Sequence, residues 1–454
     1  MRLTSATDKR AIAADADASA LVPRSAIWSR TNRAALPGLV ALLGAVCFVI
    51  ARLQTWAHGD ISAFIMLGNH YANAAQLPKG VRLRATYGYD GQFFYRLALD
   101  PANLNHTAFG ITMDQPYRYT RIGYPALTWL ISLGQHQFVP VALVVVNIAA
   151  TAGLGVLGGL FARQSGRHAL WGLLMPAYFG LLTSLGRDTA EPLAAVCLLG
   201  GMLAYRRRRP VLAAAAFAYG ALTRETVLVV PAAIAITRLA QMARRRARPG
   251  TDDLTWVVPV TIFAGWQLVV LAATGSLPLF ADRNRNVGTP FAAAIHAVLY
   301  NFGHVVTNHP RQLDAWLLEF TILVILAVAA LLSLRATTAP AHERLAFVFS
   351  LVEVCVLTPT IWSSYVADFR SFIEVYLLAL IILLAAPLRH LTTFRRPALL
   401  AADLPLGRAA PGHRRAKEGR AEEDRGEDED IDGGDGPMRR DPPGDPQRRG
   451  RVLR

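Results

Sequence analysis

The sequence is poor in cysteine and in charge. Its three cysteines, Cys47, Cys197 and Cys355, all lie inside apolar runs, so no disulfide framework is encoded. Charged residues make up only 17% of the 454, against roughly 25% in soluble domains, while 53% are hydrophobic. The mean hydropathy is +0.30. No Walker loop and no dinucleotide fingerprint is present, which argues against a nucleotide-driven pump. His296, His304 and His309 lack zinc-like spacing, so no residue is assigned to a metal. The first apolar run is not followed by a small-x-small cleavage site and is read as an uncleaved anchor, not a removed signal.

What the chain does have is long uninterrupted apolar runs, which place most of it in lipid. Crossing the hydrocarbon takes roughly 20 apolar residues in a helix, with about 17 a working minimum. Runs at 35–52, 138–161, 168–185, 189–205, 210–223, 226–240, 253–274, 313–334, 345–361 and 370–388 predict an all-α, polytopic membrane helix bundle of about ten transmembrane helices. The formal net charge of +15 would suit nucleic acid, but the arginines cluster between apolar runs and in the two tails. That is a topology signal, and no nucleic-acid partner is expected.

With the N-terminus cytoplasmic, short inner segments carry Arg163, Arg167, Arg206, Arg207, Arg208, Arg209, Arg238, Arg244, Arg245, Arg246, Arg248, Arg335 and Arg344. The outer segments keep only Arg187, Arg224, Arg283, Arg285, Arg311 and Arg370. The bias alternates with every crossing and predicts a multi-pass protein of the inner (plasma) membrane with both termini cytoplasmic. Residues 1–34 form a cytoplasmic N-terminal segment, 35–388 a transmembrane domain, and 389–454 a charged cytoplasmic tail expected to be disordered. Within the domain, 53–137 form a long first outer loop and 275–312 a second. Segments 90–100 and 122–133 of the first loop are predicted to be interfacial helices.

The most informative string is YGYDGQFFYRLALDP, residues 87–101. It sets Asp90 among Tyr87, Tyr89, Phe93, Phe94 and Tyr95, beside Gly91 and Gln92. An N-cap would explain the aspartate alone. A carboxylate on a shelf of flat rings also suits binding and deprotonating a sugar hydroxyl, and that reading is preferred. Asp60, Asp100 and Asp114 in the same loop are read as caps, turns or solvated groups.

Two further strings, GRDTAEP (186–192) and LTRET (222–226), each place an arginine, acids and threonine at the outer ends of short apolar runs. Asp188 with Glu191 resembles a capping box, and Glu225 a first-turn acid. Yet Pro210 to Thr223 makes only about 21 Å of helix against about 30 Å of hydrocarbon. Arg224 and Glu225 should therefore be recessed, and ionisable groups at depth normally face a protein-lined cavity. Arg187, Asp188, Glu191, Arg224 and Glu225 are taken as substrate-binding candidates. SSYVADFRSFIEVY (363–376) adds Tyr365, Asp368, Arg370 and Glu374; Arg370 either pairs with Glu374 one turn away or contributes to an anion site. In YRYTRIGYP (117–125), Arg118 and Arg121 between tyrosines are assigned to lipid-headgroup anchoring.

YDGQFFY followed by LALDP, together with RYTRIGYP, GRDTAEP and LTRET, resembles a bacterial branch of the GT-C superfamily of membrane glycosyltransferases, similar to its polyprenyl-phosphate-sugar-dependent, mannosyltransferase-like members. The likeness covers roughly residues 35–388. It departs from many relatives in the first loop, where Asp90 is flanked by Tyr89 and Gly91 instead of a second acid. The resemblance implies an inverting hexosyl- or pentosyltransferase of the cell envelope, acting on a polyprenyl-phosphate sugar at the extracytoplasmic face, with a glycan, lipid or protein hydroxyl as acceptor. For that chemistry Asp90 is chosen as the catalytic base and Arg187, Arg224 and Arg370 as the cations on the donor phosphate, with Tyr89, Gln92 and Tyr95 beside the substrate. A divalent cation is left unassigned. The alternative is a transporter or flippase for a lipid-linked or anionic solute, or a non-catalytic scaffold.

Overall fold

The structure is a computed structural model that describes residues 32–281, 288–300, 310–358, 361–362 and 370–387. The N-terminal segment, the tail, and Tyr365 and Asp368 lie outside the described residues.

The described residues are mostly helical, with a two-stranded hairpin pairing Thr107–Ala108 with Ile111–Thr112. Helix α1 is Ala35–Thr55. The first loop holds α2 (Gly91–Leu99) and α3 (Gly123–Ile131). Then follow α4 (Val139–Gln164), α5 (Phe179–Gly186), α6 (Glu191–Arg206), α7 (Pro210–Thr223), α8 (Val229–Ala243), α9 (Leu254–Thr274), the short α10 (Pro278–Ala281) and α11 (Ala292–Tyr300). The last three are α12 (Pro310–Ser333), α13 (Ala341–Cys355) and α14 (Ile373–Leu384).

Among the described residues, five segments are long and apolar enough to cross a membrane: Ala35–Thr55, His136–Gln164, Glu225–Ala243, Thr251–Thr274 and Asp314–Ser333. They coincide with five of the ten predicted runs. Their outer faces stay apolar, with Leu39, Leu43 and Ile50 on α1, Val260 and Leu268 on α9, and Leu318, Ile325 and Leu332 on α12 all exposed. A belt of that kind is stable against lipid tails and costly against water. The protein is a membrane protein.

The remaining runs are shorter or broken. The run at 168–185 is not one helix but a 3₁₀ segment, Ala169–Leu174, followed by α5. Its sequence LWGLLMPAYFG carries a proline and two glycines, which interrupt the helical ladder. Helices α6, α7, α13 and α14 span 16, 14, 15 and 12 residues.

The segment predicted as an interfacial helix at 90–100 is instead buried along its whole length as α2, including Gln92 and Arg96. Phe94, Tyr95 and Ala98 pack with Ile65, Leu67, Tyr124 and Leu143, so the first loop is folded and shares a core with α4 and α6. Amphipathic patterning alone did not reveal that the polar face of α2 is covered too. By contrast, α3 exposes Trp129, Leu130 and Ile131, as an interfacial helix would.

A larger core joins α4 through α8 with α12, α13 and α14 through Phe161, Leu198, Phe217, Ile234, Phe347 and Leu377. Helices α6 and α7 run antiparallel. Hence the start of α6, the end of α7 and the turn into α8 share one end of the bundle, where the first loop folds over them.

Candidate functional site

Two glycines bring the motifs into contact. A Cβ on Gly91 would lie 2.4 Å from the Arg187 carbonyl oxygen and 2.7 Å from that of Ile65, so only glycine lets the start of α2 press on the GRD turn. A Cβ on Gly123 would meet the Thr223 hydroxyl at 2.4 Å and its amide nitrogen at 2.9 Å, which docks RYTRIGYP on LTRET. The GRD turn is pinned from two more directions. Arg52 Nε donates to the Gly186 carbonyl at 3.0 Å, and Asn147 Nδ2 to the Thr189 carbonyl at 3.2 Å.

Around these contacts runs a continuous chain of ion pairs. Arg118 donates from Nη1 to Asp90 Oδ1 at 2.7 Å, and from Nε and Nη2 to Asp114 at 2.8 and 3.1 Å. Arg370 takes the other oxygen of Asp90 and donates to Glu191 Oε1 at 2.9 Å. Arg224 sits 3.6 Å from Glu191 and 3.5 Å from Glu374, and Glu374 also accepts the Thr226 hydroxyl. Alongside, Arg121 grips both oxygens of Glu225 at 2.7 and 3.1 Å, and the Tyr117 hydroxyl donates to the same carboxylate. The Tyr89 ring lies under two guanidiniums, Arg187 at 4.5 Å and Arg370 at 4.8 Å, a cation–π arrangement that holds both in place.

Of the local pairings the sequence offers for Asp90, for Asp188 with Glu191 and for Arg370 with Glu374, none is formed among the described residues. Asp90 occupies the N-cap position of α2 without a side-chain cap bond. The N-cap of α6 is Ala190, not Asp188, and Glu191 turns to the arginines. Arg370 pairs with Asp90 and Glu191, and Glu374 with Arg224.

The cluster has a sealed floor and an open edge. Side chains of Arg224, Glu191 and Glu374 are 4, 2 and 5% exposed, whereas Asp90 and Glu225 are each 17% and Arg118 is 22% exposed. Buried ion pairs of this kind are a net cost to folding unless geometry is very good, so a site with several is unusual on stability grounds alone. Burial would raise the Asp90 carboxyl, but Arg118 and Arg370 outweigh it and hold the group well below the usual carboxylate range.

Several predicted residues take other places. Gln92 is 1% exposed and is a structural pin, accepting from the Gly68 amide and donating to the Tyr87 carbonyl. Tyr95 is fully buried in the core of the first loop. Asp188 has no exposed surface, a φ of 47°, and no hydrogen-bond partner for either carboxyl oxygen among the described residues. Burial pushes its carboxyl well above the usual range, with Arg52 only partly opposing. It stands outside the ion-pair chain. Asp60 and Asp100 close turns on Ser62 and Ala102.

Arg118 and Arg121 were assigned by sequence to lipid headgroups, yet they are the accessible cations of the cluster. A signal existed: both sit in a motif otherwise counted as distinctive, two and five residues from the Gly123 docking point. No group of three or more His, Cys, Asp or Glu side chains among the described residues is placed to hold a metal ion. Comparison with protein-family models, curated proteins and solved structures finds no match.

Proposed function

We propose that this chain is a GT-C-type membrane glycosyltransferase that moves a sugar from a polyprenyl-phosphate donor to an acceptor hydroxyl at the extracytoplasmic face. On this reading the shorter helices α6, α7, α13 and α14 cross the membrane as well, the N-terminus is cytoplasmic, and the recessed cluster opens outward. One observation carries the proposal. A carboxylate, Asp90, is held between two guanidiniums, Arg118 and Arg370, at the reachable edge of an otherwise sealed charge cluster.

The chemistry follows from that pairing. The acceptor oxygen bonds to the anomeric carbon as the bond from that carbon to the phosphate oxygen breaks, which inverts the centre. The polyprenyl phosphate departs as a stable anion and needs no proton from a general acid. Its oxygens need cations, which Arg118, Arg121 and Arg370 supply. A phosphate that draws Arg118 and Arg370 toward itself loosens their hold on Asp90 and restores the basicity of that carboxylate. Asp90 then accepts the acceptor's proton. Arg224 anchors Glu191 and Glu374 and shapes the floor, and Arg187 sets the plane of Tyr89.

The test is transfer by the purified protein in lipid nanodiscs from a polyprenyl-phosphate sugar, followed by mass spectrometry of the glycosylated acceptor. A matching loss of one glycolipid or envelope glycan is expected in a deletion strain. Energised solute uptake without any glycosyl product would overturn the reading in favour of a transporter.

A further inference from the structure

Every carboxylate described above has an arginine, a hydroxyl or a backbone amide on it, or is sealed from solvent. One acid near them is neither. Glu353 lies in the last turn of α13, among residues whose apolar pattern hides it in the sequence. Helix α13 packs against α8, whose entry turn carries Glu225, and against α14, whose first turn carries Glu374. Glu353 is thereby within electrostatic reach of Glu374, Arg224, Glu225 and Arg121. It is partly exposed, and among the described residues its side chain makes no hydrogen bond or ion pair. A carboxyl group left toward lipid at this depth would be costly, so its open side fits a polar recess.

We propose that Glu353 is the sugar-recognising residue of the site, accepting hydrogen bonds from hydroxyls of the sugar carried by the donor. This rests on the transferase reading and adds the part of the substrate that the arginines cannot hold. Guanidiniums only donate and suit phosphate oxygens, whereas a carboxyl group can accept and suits ring hydroxyls. Asp90, Asp114, Glu191, Glu225 and Glu374 are already satisfied by Arg118, Arg121, Arg224 and Arg370. Glu353 is the partly exposed acid near the cluster with acceptor capacity to spare, and it stands on a different helix from the phosphate-binding edge. Phosphate and sugar are thus recognised by different chemistry from different helices.

The experiment compares binding of farnesyl phosphate with that of farnesyl-phosphate-mannose and farnesyl-phosphate-arabinose, in nanodiscs and without acceptor, for wild type, Glu353→Gln and Glu353→Ala. Wild type should bind one of the sugar-bearing lipids more tightly than bare farnesyl phosphate. In Glu353→Ala that preference should fall by about 10-fold, the worth of one hydrogen bond, and in Glu353→Gln by a smaller factor. Farnesyl phosphate affinity should stay within about twofold, which also shows that the variants fold. A preserved preference in the variants overturns the role of Glu353 and leaves the transferase reading intact. Equal loss for all three lipids overturns it too, by making Glu353 a structural group. Failure of wild type to bind any of the three lipids overturns both readings.

Discussion

Arg370 and Asp90 are 280 residues apart in the chain and form a direct ion pair. Arg118 completes the clamp from within the first loop at 2.7 Å, so one carboxylate ties the cap of the molecule to its last described helix. Sequence patterning had placed both partners on one side of the membrane, and folding joins them.

Replacing Asp90 by Asn keeps the shape but removes the proton acceptor and the charge between the two arginines. Transfer from a polyprenyl-phosphate sugar should fall by about 10²-fold or more, the usual contribution of a general base. Donor affinity should hold or rise, because Arg118 and Arg370 are released. A turnover assay beside a donor-binding isotherm checks it, and near wild-type turnover would remove Asp90 from the mechanism.

Arg224 and Arg118 should separate floor from edge. Arg224→Ala leaves Glu191 and Glu374 short of their shared cation in a sealed setting, with an expected loss of about 3–5 kcal/mol of stability. Arg118→Ala sits at the reachable edge and should chiefly weaken phosphate binding, by about 10-fold, the worth of a charged hydrogen bond. Thermal melts in detergent together with farnesyl phosphate titration distinguish the two. The assignment fails if Arg118→Ala melts early with unchanged titration.

Asp188 and Asp90 are displaced in opposite directions, with opposite consequences for pH. The Asp90 group is depressed, so its stabilisation is present above the ordinary carboxylate value near 3.9 and is lost only on strong acidification. The Asp188 group is raised, so it costs nothing below that value and destabilises the fold increasingly as pH rises toward its folded value. Asp188→Asn removes that cost, and asparagine tolerates the φ of 47°. Its melting temperature should exceed wild type at pH 7 and converge with it near pH 4. Equal melting curves at pH 7 would show that Asp188 is paired in the folded protein.

Gly91→Ala tests the contact that joins two motifs. The added methyl would sit 2.4 Å from the Arg187 carbonyl, and backbone on both sides leaves no side chain to yield. Overpacking of this kind costs about 1–3 kcal/mol. The shift of α2 should also move Asp90 from Arg370 and reduce turnover more than a melt would suggest. Full activity in the alanine variant would mean that the two turns are not held together.

The membrane class, the helical content and the boundaries of the five longest crossings were legible in the sequence, because hydropathy over twenty residues is a local property that lipid reads directly. The residue types of the site were legible as well: Asp90, Glu191, Arg224, Glu225 and Arg370 all stand in the cluster. Tertiary structure alone decided which of them are sealed and which can be reached, that Gln92 and Tyr95 serve packing, and that Arg118 joins the ion-pair cluster. The physical reason is that charge pairing depends on distances between segments more than a hundred residues apart, set by close backbone contacts such as Gly91 on Arg187 and Gly123 on Thr223. No local period in a sequence encodes those distances.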